Sequence, residues 1–151
     1  MKMNIETLPG YDIIYMRQIG PYGIGNAQIM EKLKSWAKSK HLLGENAILL
    51  GIAQDNPETT KPEDCRYDTC LVVSEDYSIS DDGISRGKLN QGKHAVFELD
   101  HTAQAVEKAW REIFQELFRQ GYEIDYTNPI IERYQTKMLN SHRCEICVPI
   151  R

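Results

Sequence analysis

Apolar residues recur along this chain at helical spacing in two places and in short runs elsewhere. In two stretches they lie three and four residues apart, which is typical of a helix with one apolar face. The first predicted helix runs from its N-cap Asn26 to about Lys40, and the second runs from Thr102 to Gln120, with Gly121 as its stop signal. The short runs predict six strands, at residues 11–19, 47–53, 66–73, 93–99, 130–134 and 144–150.

These elements form two copies of one β-α-β-β unit, joined by the polar stretch 74–92. The copies end on similar strands, Arg-Tyr-Asp-Thr-Cys-Leu-Val-Val at 66–73 and Arg-Cys-Glu-Ile-Cys-Val-Pro-Ile at 143–150. Each amphipathic helix must cover a sheet, and the short loops favour antiparallel pairing. We therefore expect one α+β domain over residues 1–151, with pseudo-repeats at about 1–73 and 93–151. The two units are expected to lie in a pseudo-two-fold arrangement with antiparallel sheets and a cleft between them.

Composition and charge limit the classes of function. The chain has 151 residues, of which 41% are hydrophobic and 26% charged, as in ordinary globular domains. Its net charge is −4 and no basic block occurs, so we expect no direct nucleic-acid binding. No apolar run reaches the roughly 18–20 residues of a membrane span and the N-terminus has no apolar signal region, so a cytoplasmic protein without membrane contact is expected.

The four cysteines do not form a convincing metal or redox motif. Cys144 and Cys147 lie three residues apart on a predicted strand, so their side chains should point to opposite faces. We therefore expect reduced cysteines, no bound metal and no cofactor. The sequence contains no glycine-rich phosphate loop, histidine-rich metal spacing or nucleophile elbow, so no catalytic residue is assigned.

Two carboxylates on apolar strands are the candidate ligand-binding residues. Glu132 shares a strand face with Tyr134, and an acidic aromatic surface attracts planar cations, although a solvated edge strand would show the same pattern. Glu145 lies among apolar residues of the last strand, where burial requires a partner. It either pairs with a nearby arginine, such as Arg133 or Arg143, or serves as a pocket acid.

Motifs spread over almost the whole chain indicate a family. They are Gly-Pro-Tyr at 20–22, Asp-Asn-Pro at 55–57, Arg-Tyr-Asp-Thr at 66–69, Gly-Lys-His-Ala-Val-Phe at 92–97, Pro-Ile-Ile-Glu-Arg-Tyr at 129–134 and Glu-Ile-Cys-Val-Pro-Ile at 145–150. The chain resembles the GyrI-like proteins. These include DNA gyrase inhibitors and the effector-binding domains of AraC-type and multidrug-responsive transcription regulators.

The resemblance implies a central cleft that binds cationic, aromatic organic compounds. Glu132 matches the glutamate that contacts the cation in the multidrug regulators. The aromatic candidates around it are Tyr134, Trp110, Phe97 and Tyr67, and Glu145 is the alternative acid.

Three functions remain open at this point. The first is a stand-alone small-molecule binding protein, since the chain supplies no DNA-binding helices. The second is inhibition of DNA gyrase through a protein–protein interface. The third is hydrolysis of a small molecule, with Glu132 or Glu145 as general base and a tyrosine polarising the substrate.

Overall fold

A computed structural model describes all 151 residues as eight strands, three α-helices and one 3-10 turn. The strands are β1 Lys2–Leu8, β2 Tyr11–Ile19, β3 Ile48–Ala53, β4 Arg66–Val73, β5 Ser85–Leu89, β6 Gly92–Asp100, β7 Ile131–Gln135 and β8 Arg143–Pro149. The helices are α1 Ile24–Ser39, α2 Ala103–Arg119 and the short α3 Thr136–Leu139, and the 3-10 turn is Pro62–Asp64. The predicted α+β class is confirmed.

All eight strands belong to one antiparallel sheet in the order β1-β6-β8-β7-β3-β4-β2-β5. The strands of the first unit, β2, β3 and β4, occupy one half of the sheet. Those of the second unit, β6, β7 and β8, occupy matching places in the other half, and β3 pairs with β7 at the centre. The two predicted units therefore share a single sheet.

The pairing register locates the pseudo-two-fold axis. Thr69 of β4 pairs with Gly51 of β3, and its counterpart Ile146 of β8 pairs with Glu132 of β7. Gly51 and Glu132 are therefore equivalent positions in the two units. They also pair directly with each other. The axis consequently passes between Gly51 and Glu132, at the centre of the sheet.

Both helices pack on the same face of the sheet and divide the core there into two clusters. One cluster lies under α1 and includes Ile14, Leu33 and Leu71, and the other lies under α2 and includes Phe97 and Ile113. A third cluster fills the opposite face and includes residues of β2, β3, β6 and β7. The space between α1 and α2 thus lies over the central strands, which positions the candidate site.

The cysteines are where strand geometry predicted them. Cys144 packs in the cluster under α2 and Cys147 in the cluster on the opposite face, so the two side chains point in opposite directions. All four cysteines are free and buried. Burial raises the pKa of the Cys144 and Cys147 thiols to about 12.

Two local predictions were wrong. Asn26 is not the N-cap of α1, because the helix already begins at Ile24 after Gly23, whose φ of 131° suits a residue without a side chain. Strand β1 was not predicted, because most of its residues are exposed and it forms an edge of the sheet. By contrast, α2 begins one residue after its predicted start at Thr102, which is its N-cap. The Thr102 hydroxyl accepts a hydrogen bond from the Ala105 N–H at 3.0 Å.

None of the helices combines the length and the apolar character that a membrane crossing requires.

Candidate functional site

A cavity of about 590 Å³ lies between α1 and α2 over the central strands. Its floor carries Glu132 and Tyr134 from β7 and Tyr67 from β4. Its walls come from both helices and the segments beside them: Gly23, Asn26, Ala27, Met30, Glu31, Lys34, His101, Thr102, Ala103, Val106, Glu107 and Leu139. The site therefore combines one carboxylate and two tyrosines below with walls in which half of the residues are glycine or apolar and half are polar or charged.

The acid on the floor is held by one neighbouring tyrosine. The Tyr134 hydroxyl donates a short hydrogen bond to Glu132 Oε2, and Glu132 makes no other hydrogen bond and no salt bridge in the protein. Burial raises the pKa of Glu132, and the Tyr134 hydrogen bond opposes that rise only in part. Burial and the nearby Glu132 also raise the pKa of Tyr134, so the phenol keeps its proton and acts as the donor. The second carboxylate oxygen, Oε1, remains available to a bound molecule.

The position of Tyr67 depends on the absence of a side chain at residue 51. A Cβ added to Gly51 would lie 2.1 Å from the Tyr67 hydroxyl oxygen and 3.0 Å from Cζ of its ring. Tyr67 is buried, and burial followed by the charge of Glu132 raises its pKa. Gly51 thus lets the Tyr67 ring lie across β3, beside the carboxylate of Glu132, which is the residue equivalent to Gly51 in the second unit.

The first turns of both helices form the inner walls. Met30 of α1 is fixed from below, since the Thr69 hydroxyl lies 3.0 Å from its sulfur atom. Asn26 lies one turn earlier, and its Oδ1 is shielded from solvent without a hydrogen-bond partner. No other buried side-chain nitrogen or oxygen of the protein lacks a partner. The walls therefore include one residue whose side chain has an unsatisfied acceptor.

Charged groups around the entrance are predominantly acidic. Glu31 of α1 and Glu107 of α2 are exposed, and Lys34 lies 3.4 Å from the Glu31 carboxylate. His101 packs against the Tyr134 ring at a centroid distance of 5.5 Å. Burial and the nearby Lys34 lower the pKa of His101, so its ring is neutral at pH 7. The lining has three carboxylates, but Glu31 pairs with Lys34 and Glu107 with Arg111, so Glu132 is the one carboxylate of the cavity without a cationic partner.

Comparison with known sequences identifies the domain. The sequence model of the GyrI-like small molecule binding domain matches residues 1–151. The chain belongs to this family. A relative named as an SPbeta prophage-derived transcriptional regulator, YosT of Bacillus subtilis (strain 168), is 43% identical over 152 residues, covering 100% of both chains. A DNA gyrase inhibitor of Pectobacterium carotovorum subsp. carotovorum (strain PC1) is 27% identical over 124 residues, covering 81% of this chain and 79% of that protein.

A solved structure shows the same fold with a ligand present. The structure of SAV2435 bound to tetraphenylphosphonium superposes with a TM-score of 0.59 and 15% sequence identity. The match covers 100% of this chain and 94% of that one. At this identity the comparison shows the GyrI-like fold alone.

Three of the six predicted site residues meet in the cavity of this GyrI-like domain, namely Glu132, Tyr134 and Tyr67. Phe97 and Trp110 lie outside the cavity lining. Phe97 is fully buried under α2, and Trp110 packs on the same cluster with its ring 6.4 Å from that of Phe114. Both side chains lie on the face of their element that packs in or against the core under α2, and that face does not reach the space between the helices.

The alternative acid, Glu145, is on the opposite face of the sheet. Its carboxylate accepts two hydrogen bonds from Arg133, at 2.8 and 2.9 Å, and one from Gln135 at 2.6 Å. Arg133 follows Glu132 along β7, and consecutive strand residues point to opposite faces. Glu145 is therefore the buried ion-pair partner that strand spacing allowed as one of its two interpretations, and it does not reach the cavity.

Sequence reasoning did not assign the residues of the helix walls to the site. Asn26 was interpreted as a helix cap, and Met30 was not assigned to the site. One feature of the sequence could have pointed to them: both residues lie in the first two turns of a helix that follows a glycine-rich turn. The sequence gives no indication that the two helix starts converge over the same central strands.

Proposed function

We propose that this GyrI-like domain binds an aromatic organic cation in the cavity between α1 and α2, with Glu132 as the countercharge. One observation carries the proposal. Glu132 is a half-buried carboxylate on the cavity floor with no basic partner and one free oxygen. A buried charge without a partner is costly, and a bound cation would offset that cost.

The two acids of the central strands support this assignment by contrast. Glu145 is neutralised within the protein by Arg133 at 2.8 Å, whereas Glu132 receives only a phenol hydroxyl. An acid whose role was to hold the sheet together would be expected to have a cationic partner. Glu132 lacks one because its partner comes from outside the protein.

The rings on the floor suit a ligand that combines charge with an aromatic surface. Tyr67 and Tyr134 flank Glu132, and tyrosine rings attract cations through the negative face of the ring. Met30, Val106 and Leu139 add apolar surface around them. The ligand of SAV2435, tetraphenylphosphonium, has this combination and supplies a first probe.

The test is calorimetric titration of the wild type and Glu132→Gln with tetraphenylphosphonium and a cationic dye. The substitution keeps the shape and the acceptor for Tyr134 but removes the charge, so affinity should fall by about 1–2 kcal/mol, roughly 5- to 30-fold. Glu107→Gln is the matched control, because Glu107 lines the same cavity but is exposed and paired with Arg111. It should change affinity by less than about 0.5 kcal/mol. Equal binding by the wild type and Glu132→Gln would show that the proposal is wrong.

Inhibition of DNA gyrase is the second candidate, favoured by the similarity to the Pectobacterium inhibitor. A supercoiling assay with purified gyrase separates it from the first. If this candidate is correct, the wild type inhibits gyrase and Glu132→Gln inhibits it equally, since a protein interface does not need the cavity charge. No inhibition at any protein concentration tested would exclude this second function.

A further inference from the structure

One residue of the cavity wall, Asn26, carries the one buried side-chain polar atom of the protein that has no hydrogen-bond partner, its Oδ1, which is shielded from solvent. Native proteins satisfy nearly all buried polar groups, because an unpaired one costs about 1–3 kcal/mol. Such an exception at a ligand cavity indicates a bond that forms only when the ligand is present. The missing partner of a carbonyl oxygen is a donor, usually N–H or O–H.

Glu132 requires a partner of the same kind. Its Oε2 already accepts from Tyr134, and its Oε1 accepts from no group of the protein. The floor and the wall of one cavity thus each present an acceptor without a donor. A cation that carries several N–H groups satisfies both, whereas a cation whose charged atom bears only carbon substituents satisfies neither.

We infer that the ligand of this cavity is an aromatic cation with N–H donors, such as an amidinium or an amino-substituted ring cation, which bonds to both Glu132 Oε1 and Asn26 Oδ1. This inference rests on the proposed function and adds the chemical class of the ligand to it. It excludes fully alkylated or arylated cations as the preferred ligands.

Asn26 can reach the ligand by a side-chain movement alone. It lies in the first turn of α1, and its amide makes no hydrogen bond that would have to break. The proposal requires rotation about χ1 between staggered positions to bring Oδ1, shielded from solvent in the free protein, into the cavity that Asn26 lines. The ligand N–H then replaces an unsatisfied state with a charge-assisted hydrogen bond.

Two acridine dyes of the same ring system and charge test the inference. Proflavine carries two amino groups that donate hydrogen bonds, and acridine orange carries dimethylamino groups that do not. Both cations also carry one ring N–H, whose contribution is common to the two dyes. Both are titrated by fluorescence against the wild type, Asn26→Leu, Asn26→Ala and Glu132→Gln, with the folding of each variant checked by thermal melting. The readout is the ratio of the two dissociation constants, which cancels any effect common to both dyes.

The ratio in favour of proflavine should be about tenfold larger in the wild type than in Asn26→Leu and Asn26→Ala. Acridine orange affinity should stay within about threefold in those variants. If the ratio is the same in the wild type and in both Asn26 variants, the inference is wrong. The proposed function is tested separately, because Glu132→Gln should weaken both dyes. If the ratio of dissociation constants does not change in the Asn26 variants while Glu132→Gln still weakens both dyes, the inference is rejected and the proposed function is not.

Discussion

Replacing Gly51 with alanine tests the arrangement of the cavity floor. The new Cβ would lie 2.1 Å from the Tyr67 hydroxyl oxygen, far inside the 3.5–4.0 Å of ordinary atomic contacts. Tyr67 is only 4% exposed, so its ring cannot move aside into solvent without disturbing its neighbours. Overpacking of this kind costs about 1–3 kcal/mol of unfolding free energy. For a chain of this length, 2 kcal/mol corresponds to roughly 4–8 °C in Tm.

Urea denaturation of a small set of variants gives the measurement. Gly44→Ala is the matched control, because a Cβ there meets no atom within 4 Å, and it should leave stability within about 0.5 kcal/mol. Tyr67→Phe removes the clashing hydroxyl but leaves Cζ 3.0 Å from the new Cβ. In the Gly51→Ala, Tyr67→Phe double variant, at least half of the Gly51→Ala cost should therefore disappear. The reasoning is refuted if Gly51→Ala is as stable as Gly44→Ala, or if its cost is unchanged by Tyr67→Phe.

Two further predictions concern the two acids of the central strands. Burial raises the pKa of Glu132. Cation affinity should therefore be full above that pKa and should be lost as the pH falls through it. This loss should occur at a higher pH than for an ordinary glutamate. Calorimetry from about pH 8 to about pH 4 should show this decline in the wild type and not in Glu132→Gln; curves of identical shape would contradict it. Glu145→Gln removes the buried partner of Arg133 and leaves it only Glu6, whose partly exposed carboxylate lies 3.8 Å away. This substitution should cost about 3 kcal/mol in urea denaturation, with dye affinity of the folded protein unchanged. Glu116→Gln, which removes the charge of a partly exposed carboxylate that accepts from Arg119 and Gln120, should cost about 0.5 kcal/mol or less, and an equal cost for the two would argue against a structural role for Glu145.

Much of the fold could be predicted from the sequence because the same order of elements occurs in both copies of the repeated unit. The bounds of β4 were predicted without error, and six of the eight strands were located, since alternation within short aliphatic runs is a local signal. The same alternation placed Glu132 and Tyr134 on one face, and the structure joins them by a hydrogen bond. Edge strand β1 was not predicted, because its sequence has no apolar run to distinguish it from a loop.

The membership of the site was harder to predict than the faces of the strands. Period-two spacing says that Glu132 and Arg133 point in opposite directions, but not which direction leads to a cavity. That depends on where the two helices lie, which is a property of the assembled sheet. Phe97 and Trp110 were assigned to the site as aromatic residues implied by the resemblance, whereas Phe97 is buried in the core under α2 and Trp110 packs, partly buried, against that core. Asn26 was missed because its significance is an absent partner, which only coordinates can reveal.

The pairing of Gly51 with Glu132 imposes a limit on how symmetrical this protein can be. Residues directly opposite on antiparallel strands have Cβ atoms about 4.5–5.5 Å apart, and like charges at that distance repel. A protein that carried glutamate at both equivalent positions would hold two carboxylates against each other in a half-buried place. The glycine removes one of them, and its space is taken by the ring of Tyr67. A chain built from two similar halves thereby presents a single central charge, matched to one cation.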